Sequence, residues 1–346
     1  MRYLARPWSD FLATMEKPDL TIAICTYNRS EALEGSVGSC FEQQTSFPFE
    51  VLVVDNNSTD NTQQVLAQLR ERYAELRCVK EPKQGLSHAR NRALHEAKGE
   101  IVAFIDDDCV VLPGWLEAIV RGFEDPSVGA VGGITHVGYP DDHKPEWLTS
   151  AMEGILGLSD RGPEEKEVSE VMGGNMAFRR DLALRIDGFA VDLGYAGTHR
   201  IGGEDCEISH RVTAAGYRIL HLPDAKVIHC VDRARLDRKW IIGRHRLNGA
   251  FRGRVHRDVL SARKIAEEYL KASLLTVVWR VIGKTRRSLE WAMTKSFTLG
   301  MLDEFCGGQG RWSRRAFLLA SAAPGAVWRI ARRSASGKSG IDWREQ

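Results

Sequence analysis

Between residues 20 and 105 compact apolar runs alternate with stretches patterned like helices. LTIAIC (20–25), VLVVD (51–55) and IVAFI (101–105) are almost continuously apolar, and LRCVKE (76–81) is a shorter run of the same kind. Residues 30–44, 63–76 and 86–98 carry the spacing of helices between them. Strands that are apolar throughout, separated by helices, predict a parallel sheet covered on both faces. In such sheets ligands bind beyond the carboxyl ends of the strands. Three polar clusters sit at such ends: 26–29, 55–60 and 106–108.

Each cluster has a plain structural reading. Asn28 could cap a helix, with Glu31 at the capping-box position. Asp55 and Asn56 could be turn residues. The triplet Asp106, Asp107 and Asp108 could be a solvated loop before the helix near Pro113 and Trp115. Three clusters on one edge of one sheet outweigh these separate readings. Carboxylates one residue apart can share a divalent cation and a sugar hydroxyl, and Mg2+ and Mn2+ favour carboxylates together with phosphates. The pattern is not an EF-hand, whose ligands spread over a longer loop. No GxGxxG follows the first strand and no GxxxxGK[ST] occurs, so a glycine-rich phosphate loop is not expected.

Further on, VMGGNMAFRRDLALRIDGF (171–189) places Gly173 and Gly174 before a strand-like NMAF. Paired glycines allow a backbone to approach a ligand closely. GGEDCEISHR (202–211) opens a helix with Glu204, Asp205 and Glu207, which either complement the helix dipole or present a general base. His229 ends the strand-like AKVIH.

The ordered set TIAICTYNR, VLVVDNNSTD, QGLSHARN, FIDDD, GGNMAFRR, GGEDCEISHR and the final His of VIH resembles family 2 glycosyltransferases of the GT-A fold. The resemblance spans about residues 20–230. It implies an α/β Rossmann-like sandwich with a mainly parallel central sheet, and an inverting enzyme that uses a nucleotide sugar with Mn2+ or Mg2+. UDP is the nucleotide it favours, with dTDP and GDP open. By position, Thr26, Tyr27 and Arg29 would frame the base and ribose, Asp55 would contact the base and Arg90 would lie near the nucleotide. Asp106 would face the ribose and Asp108 the metal, with His229 a second metal ligand. Asn28, Asn57, Gly85, Asp107, Gly174 and Asn175 fall in the same donor-binding motifs. Asp205 would be the catalytic base and Glu204 the alternative, since adjacent acids are not ranked by sequence.

Charge divides the chain. Residues 1–230 carry 23 Lys and Arg against 36 Asp and Glu, a net of −13, whereas residues 231–346 carry 25 against 10, a net of +15. The expected organisation is an N-terminal segment (1–18), a catalytic domain (19–235), a basic helical extension (236–333) and a disordered tail (334–346). The extension mixes Trp240, Trp279, Trp291, Trp312 and Trp328 with arginines such as Arg244, Arg246, Arg252, Arg254 and Arg257. It reads either as helices that pack on the domain and offset its charge, or as a surface for anionic membranes. No apolar run approaches the ~18 residues of a membrane span, and no secretory leader is read at the N-terminus. Seven scattered cysteines without a CxxC pair fit a reducing compartment. The expected location is therefore cytoplasmic, peripheral at the inner face of the membrane. The expected acceptor is a polysaccharide or lipid-linked glycan, and nucleic acid is not an expected partner. The N-x-S/T matches at Asn28, Asn56 and Asn57 are taken as chance. A non-catalytic sugar-binding protein of the same fold and a nucleotidyltransferase are the alternatives. Intact acids at Asp106, Asp108 and Asp205 disfavour the first, and the absence of a glycine-rich phosphate loop disfavours the second.

Overall fold

A computed structural model describes residues 19–196, 199–255 and 262–305. The segment 1–18, Arg257, Cys306, Trp312, Trp328 and the tail 334–346 lie outside the described residues. The chain forms two compact units, one ending at Leu236 and one beginning at Asp237.

The first unit begins with β1 (Leu20–Thr26), α1 (Leu33–Phe41), β2 (Phe49–Asp55), α2 (Thr62–Arg72), β3 (Arg77–Lys80), α3 (Leu86–Glu96) and β4 (Ile101–Asp106). It continues through β5 (Cys109–Val111), α4 (Trp115–Gly122), β6 (Val128–Gly138), α5 (Ser150–Glu153), β7 (Lys166–Glu167), β8 (Asn175–Arg179) and α6 (Arg180–Arg185). The hairpin β9 (Gly194–Ala196) and β10 (His199–Ile201), α7 (Glu204–Ala214) and β11 (Arg218–Cys230) complete it. The main sheet has the order β3-β2-β1-β4-β8-β6-β11-β5, with β7 on β11. β3, β2, β1, β4, β6 and β11 run one way; β8, β5 and β7 run against their neighbours. The sheet is mainly parallel, as the apolar runs predict.

Alternation along each strand divides the core into two layers. Ile22, Ile24, Val51 and Val53 face Leu33, Val37, Leu66 and Trp115, whereas Ala23, Leu52, Val54 and Phe104 face Ala89, Leu94, Phe178, Phe189 and Ile208. Each large side chain so buried contributes about 1.5–3 kcal/mol against exposure. Phe104, Phe178 and Phe189 meet edge to face, with centroids 5.3–6.4 Å apart.

Three local features depart from the sequence reading. The first helix begins at Leu33 rather than at residue 30, because Ala32 N–H bonds back to Arg29 C=O in a preceding turn. α2 stops at Arg72 because Tyr73 is extended. β11 is much longer than AKVIH, and its register with β6 shifts between Leu222 and Lys226, where Pro223 lacks a ladder donor.

The second unit packs α8 (Arg238–Val255), α9 (Ala262–Val281) and α10 (Thr285–Phe305) together. α8 and α10 touch backbone to backbone: a Cβ on Gly249 would lie 2.0 Å from Phe297 O, and one on Gly300 1.9 Å from Arg246 O. Part of the basic charge is neutralised internally, since Arg246 pairs with Asp303 and Arg254 with Glu304. No helix among the described residues is long and apolar enough to cross a membrane.

Candidate active site

Register brings the polar clusters together. Thr26 lies opposite Asp55 and Cys25 opposite Asp106, so the ends of β1, β2 and β4 are level. The antiparallel β8 starts at this same edge, with Asn175 beside Ile105. β11 ends there too, with His229 opposite Cys109.

The loops after β1 and β2 are tied by one side chain. Asn28, at φ 52°, accepts from Thr59 N–H at 2.7 Å and Asp60 N–H at 3.3 Å, while its own N–H donates to Ser58 Oγ at 3.0 Å. It therefore joins two loops rather than capping α1. Asp55 is fully buried and accepts from Ser58 N–H and Gln63 Nε2, which holds the loop carrying Asn57 at φ 63°. Asn56, absent from the sequence-predicted set, accepts from Gly85 N–H at 2.7 Å and donates to Lys83 C=O at 2.6 Å. Gly85, at φ 140°, is thus fixed at the start of α3. Tyr27 alone in this group offers a large exposed face, at 43 %.

The three aspartates take three different environments. Asp107 turns inward: Thr26 Oγ1 donates to it at 2.7 Å, and Ser36 Oγ donates to its backbone C=O at 2.8 Å. Burial, with the Asp108 charge beside it, pushes its carboxyl up to about 7. Asp108 meets three cationic or imidazole groups: Arg29, Arg235 at 3.0 Å and His229 Nε2 at 3.1 Å. Burial alone would raise Asp108, but the His229 hydrogen bond and the charges of His229, Arg235 and Arg29 hold it at about 2. Asp106 remains partly exposed and reaches Arg90 at 3.3 Å.

The donor set suits a hard divalent cation. One oxygen each of Asp106 and Asp108 and the Cys109 sulfur lie within 4.8 Å of one another. Burial, reinforced by Asp106 and Asp108, pushes the Cys109 thiol well above its ordinary range, so it offers no thiolate. His229 is the better third donor. Its Nδ1 lies 2.6 Å from Leu156 C=O, which can only accept, so Nδ1 carries a hydrogen. Nε2 then faces both Asp108 Oδ1 at 3.1 Å and Arg235 Nη1 at 3.2 Å: unprotonated it accepts from Arg235, and protonated it donates to Asp108. Burial lowers His229, but the hydrogen bond and charge of Asp108 outweigh it and raise its pKa.

A glycine turn links this cluster to the acids of α7. Gly173 N–H donates to Asp205 Oδ2 at 2.9 Å, and Gly173 C=O accepts from Arg90 Nη2 at 3.2 Å. A Cβ on Gly174 would stand 3.1 Å from Asp106 Oδ2, and one on Gly173 2.8 Å from Arg90 Nη2. A side chain at either position would press on the guanidinium or the acid that packs against this turn.

Glu204 and Asp205 differ sharply. Glu204 is buried, with Oε1 2.7 Å from Arg90 Nη1. Asp205 is half-buried, and its oxygens accept from the N–H groups of Gly173 and Cys206. Burial raises both acids, Glu204 to about 7. For Arg90 burial works against the charged form, but Glu204 and Asp106 outweigh it and raise the guanidinium further. Glu204 therefore faces a permanent cation, whereas Asp205 is held by backbone N–H groups in a residue that stays partly exposed.

Two sequence-predicted donor contacts have their polar groups engaged inside the fold. Arg90 is 2 % exposed and is used by Glu204, Asp106 and Gly173, over the Phe189 ring. Asn175 is 1 % exposed; it donates to Ile134 and Ala225 carbonyls and accepts from Trp115 Nε1 at 2.9 Å. Conversely, Arg235 escaped the sequence reading. It joins Asp108, His229 and Asp232 from the short helical turn after β11. Its signal is the charged run VDRAR directly after the strand carrying His229.

The profile of the glycosyl transferase family 2 domain matches residues 21–186. The chain is similar to the glucosyl-dolichyl phosphate glucuronosyltransferase of Haloferax volcanii, 30% identical over 236 residues, which cover 65% of this chain and 73% of that one. It is similar to the succinoglycan biosynthesis protein ExoM of Rhizobium meliloti, 27% identical over 240 residues, 68% of this chain and 74% of that one. Its fold is like that of the mannosyltransferase PcManGT of Pyrobaculum calidifontis, solved with GDP-Man and Mn2+. The TM-score is 0.54 at 24% identity, over 92% of this chain and 80% of that one.

Proposed function

The chain belongs to glycosyl transferase family 2 and is a glycosyltransferase, and from that premise we propose an inverting transfer from a nucleotide-diphosphate sugar, UDP-linked first, to a hydroxyl of a polysaccharide or lipid-linked acceptor. The observation that carries the reading is the Gly173–Gly174 turn, which contacts Asp106 on one side and Asp205 on the other. Residues 19–235 are assigned the chemistry, and 236–333 attachment to the inner face of the membrane. The acceptor class rests on the named relatives, one acting on a dolichyl-phosphate-linked sugar and one in polysaccharide synthesis.

In this reading Asp106, Asp108 and His229 hold Mn2+ or Mg2+, which when bound neutralises charge on the departing diphosphate. Arg29 and Arg235 add positive charge beside that leaving group. Tyr27 offers its exposed ring to the base, and Asp106 receives the ribose. Asn28, Asn56 and Asp55 hold the shape of the donor-facing loops, with Asn57 and Gly85 on those loops. Asp205 accepts the proton of the acceptor hydroxyl as that oxygen attacks the anomeric carbon, and the bond to the diphosphate oxygen breaks. One displacement inverts the configuration. Arg90 and Glu204 position the turn and the base.

The base must be deprotonated to act, and burial raises the proton affinity of the Glu204–Asp205 pair above the ordinary carboxylate range. Transfer should therefore fall at a pH above the ordinary carboxylate range, not near pH ~4 where free carboxylates titrate. A pH profile of kcat/KM checks this. A rate that stays flat down to the ordinary carboxylate range contradicts it. The donor is tested by a screen of UDP-, GDP- and dTDP-sugars for hydrolysis with and without Mn2+.

A further inference from the structure

The second unit carries an apolar face that nothing in the site uses. Leu274, Val277, Val278 and Val281 recur on one side of α9, at helical spacing, and Ile282 follows. Val277 is 60 % and Val281 79 % exposed. Five large aliphatic side chains exposed within nine positions form a contiguous patch, not a scatter of single residues.

The patch ends at a capped corner. Lys284 N–H bonds to Trp279 C=O and Gly283 N–H to Arg280 C=O, with Gly283 at φ 75°. This pair of bonds closes the helix around a left-handed glycine. The chain turns there into α10, with Lys284, Arg286 and Arg287 exposed within five residues of the end of the patch and Arg280 on the last turn of α9. Arg287 stacks over Trp279 at 4.7 Å. Across residues 274–290 the one acid is Glu290, 4.0 Å from Arg286.

We infer that this corner of α9 and α10 docks on an anionic lipid bilayer, with Leu274, Val277, Val278, Val281 and Ile282 entering the headgroup–acyl boundary and Arg280, Lys284 and Arg286 binding lipid phosphates. Charge decides between occupants. A second copy packed symmetrically on this patch would bring the same cations against each other, whereas an anionic bilayer complements them. The inference gives the membrane attachment of the proposed function a defined surface, and vesicle binding needs no catalysis, so the transferase reading stands or falls separately.

The test is co-sedimentation of the full chain with vesicles of phosphatidylcholine, alone or mixed with phosphatidylglycerol. The wild-type chain should partition onto the mixed vesicles and lose that partition as salt rises, since exposed charges are screened over ~10 Å at 0.1 M. V277D/V281D should weaken it by roughly tenfold or more. K284Q/R286Q should weaken it by roughly fivefold per charge removed. Circular dichroism and nucleotide binding report that both variants remain folded. Equal partition of the wild-type chain and V277D/V281D overturns the inference. So does a wild-type dimer that V277D/V281D converts to monomer without any vesicle binding, which assigns the face to a second copy. Faster proteolysis of residues 306–346 in V277D/V281D, with vesicle binding unchanged, assigns it to the chain's own C-terminal segment.

Discussion

Asp205→Asn should lower sugar transfer by ~10²–10⁴-fold, the usual worth of a general base. The amide keeps the shape of the carboxylate, and its oxygen can still accept from Gly173 N–H or Cys206 N–H. What it loses is a carboxylate able to take up a proton. Donor and metal affinity should change little, because the acid bears on the acceptor. Glu204→Gln is the companion measurement. Glu204 is buried against Arg90, so its loss should act through position: nucleotide binding and thermal stability should shift along with the rate. A Glu204→Gln enzyme that loses transfer with its stability intact, beside an Asp205→Asn enzyme that keeps turnover, would exchange the two roles. Near-normal turnover in both would reduce these acids to the cap of α7.

Asp108→Ala should weaken Mn2+-dependent nucleotide-diphosphate binding by at least about 100-fold, since even outer partners of metal ligands are worth 10–100-fold. Asp108 is the carboxylate on which Arg29, Arg235 and His229 converge. Its ionisation survives far into acid because those groups overcome its burial and hold it at about 2. Removing it leaves Asp106 without its main partner for a cation. Asp107→Ala should behave differently: its side chain holds Thr26 rather than facing a metal, so it should cost stability more than Mn2+ dependence. Calorimetric titration of both variants separates the two aspartates that sequence places side by side.

The sheet was legible because its strands are apolar throughout, and burial on both faces demands that composition. That the polar clusters share one edge was legible because parallel strands carry their carboxyl ends to one side, and the register sets Thr26 beside Asp55 and Cys25 beside Asp106. The interior of the site was less so. Asn175 and Arg90 lie in motifs that read as ligand-facing, yet long-range packing settles them inside: Asn175 between β6 and β11, Arg90 under Phe189 and against Glu204. Adjacent acids such as Glu204 and Asp205 share every local signal and differ only in which way the helix turns them. Arg235 follows a recognisable strand end, but nothing local shows that it folds back onto Asp108. The apolar face of α9 was hidden for a similar reason: helical spacing marks a face, and only packing shows that it is left uncovered.

The central claim is that a metal site at Asp106 and Asp108 and a base at Asp205 serve one nucleotide-sugar reaction. Its most direct test is titration of UDP, GDP and dTDP into wild type, Asp108→Ala and Asp205→Asn, each with and without Mn2+. The account predicts that at least one nucleotide binds wild type in a Mn2+-dependent way, that Asp108→Ala loses this dependence, and that Asp205→Asn retains it while failing to transfer sugar. Nucleotide binding that ignores Mn2+ in all three proteins, or that vanishes equally in both variants, would contradict it.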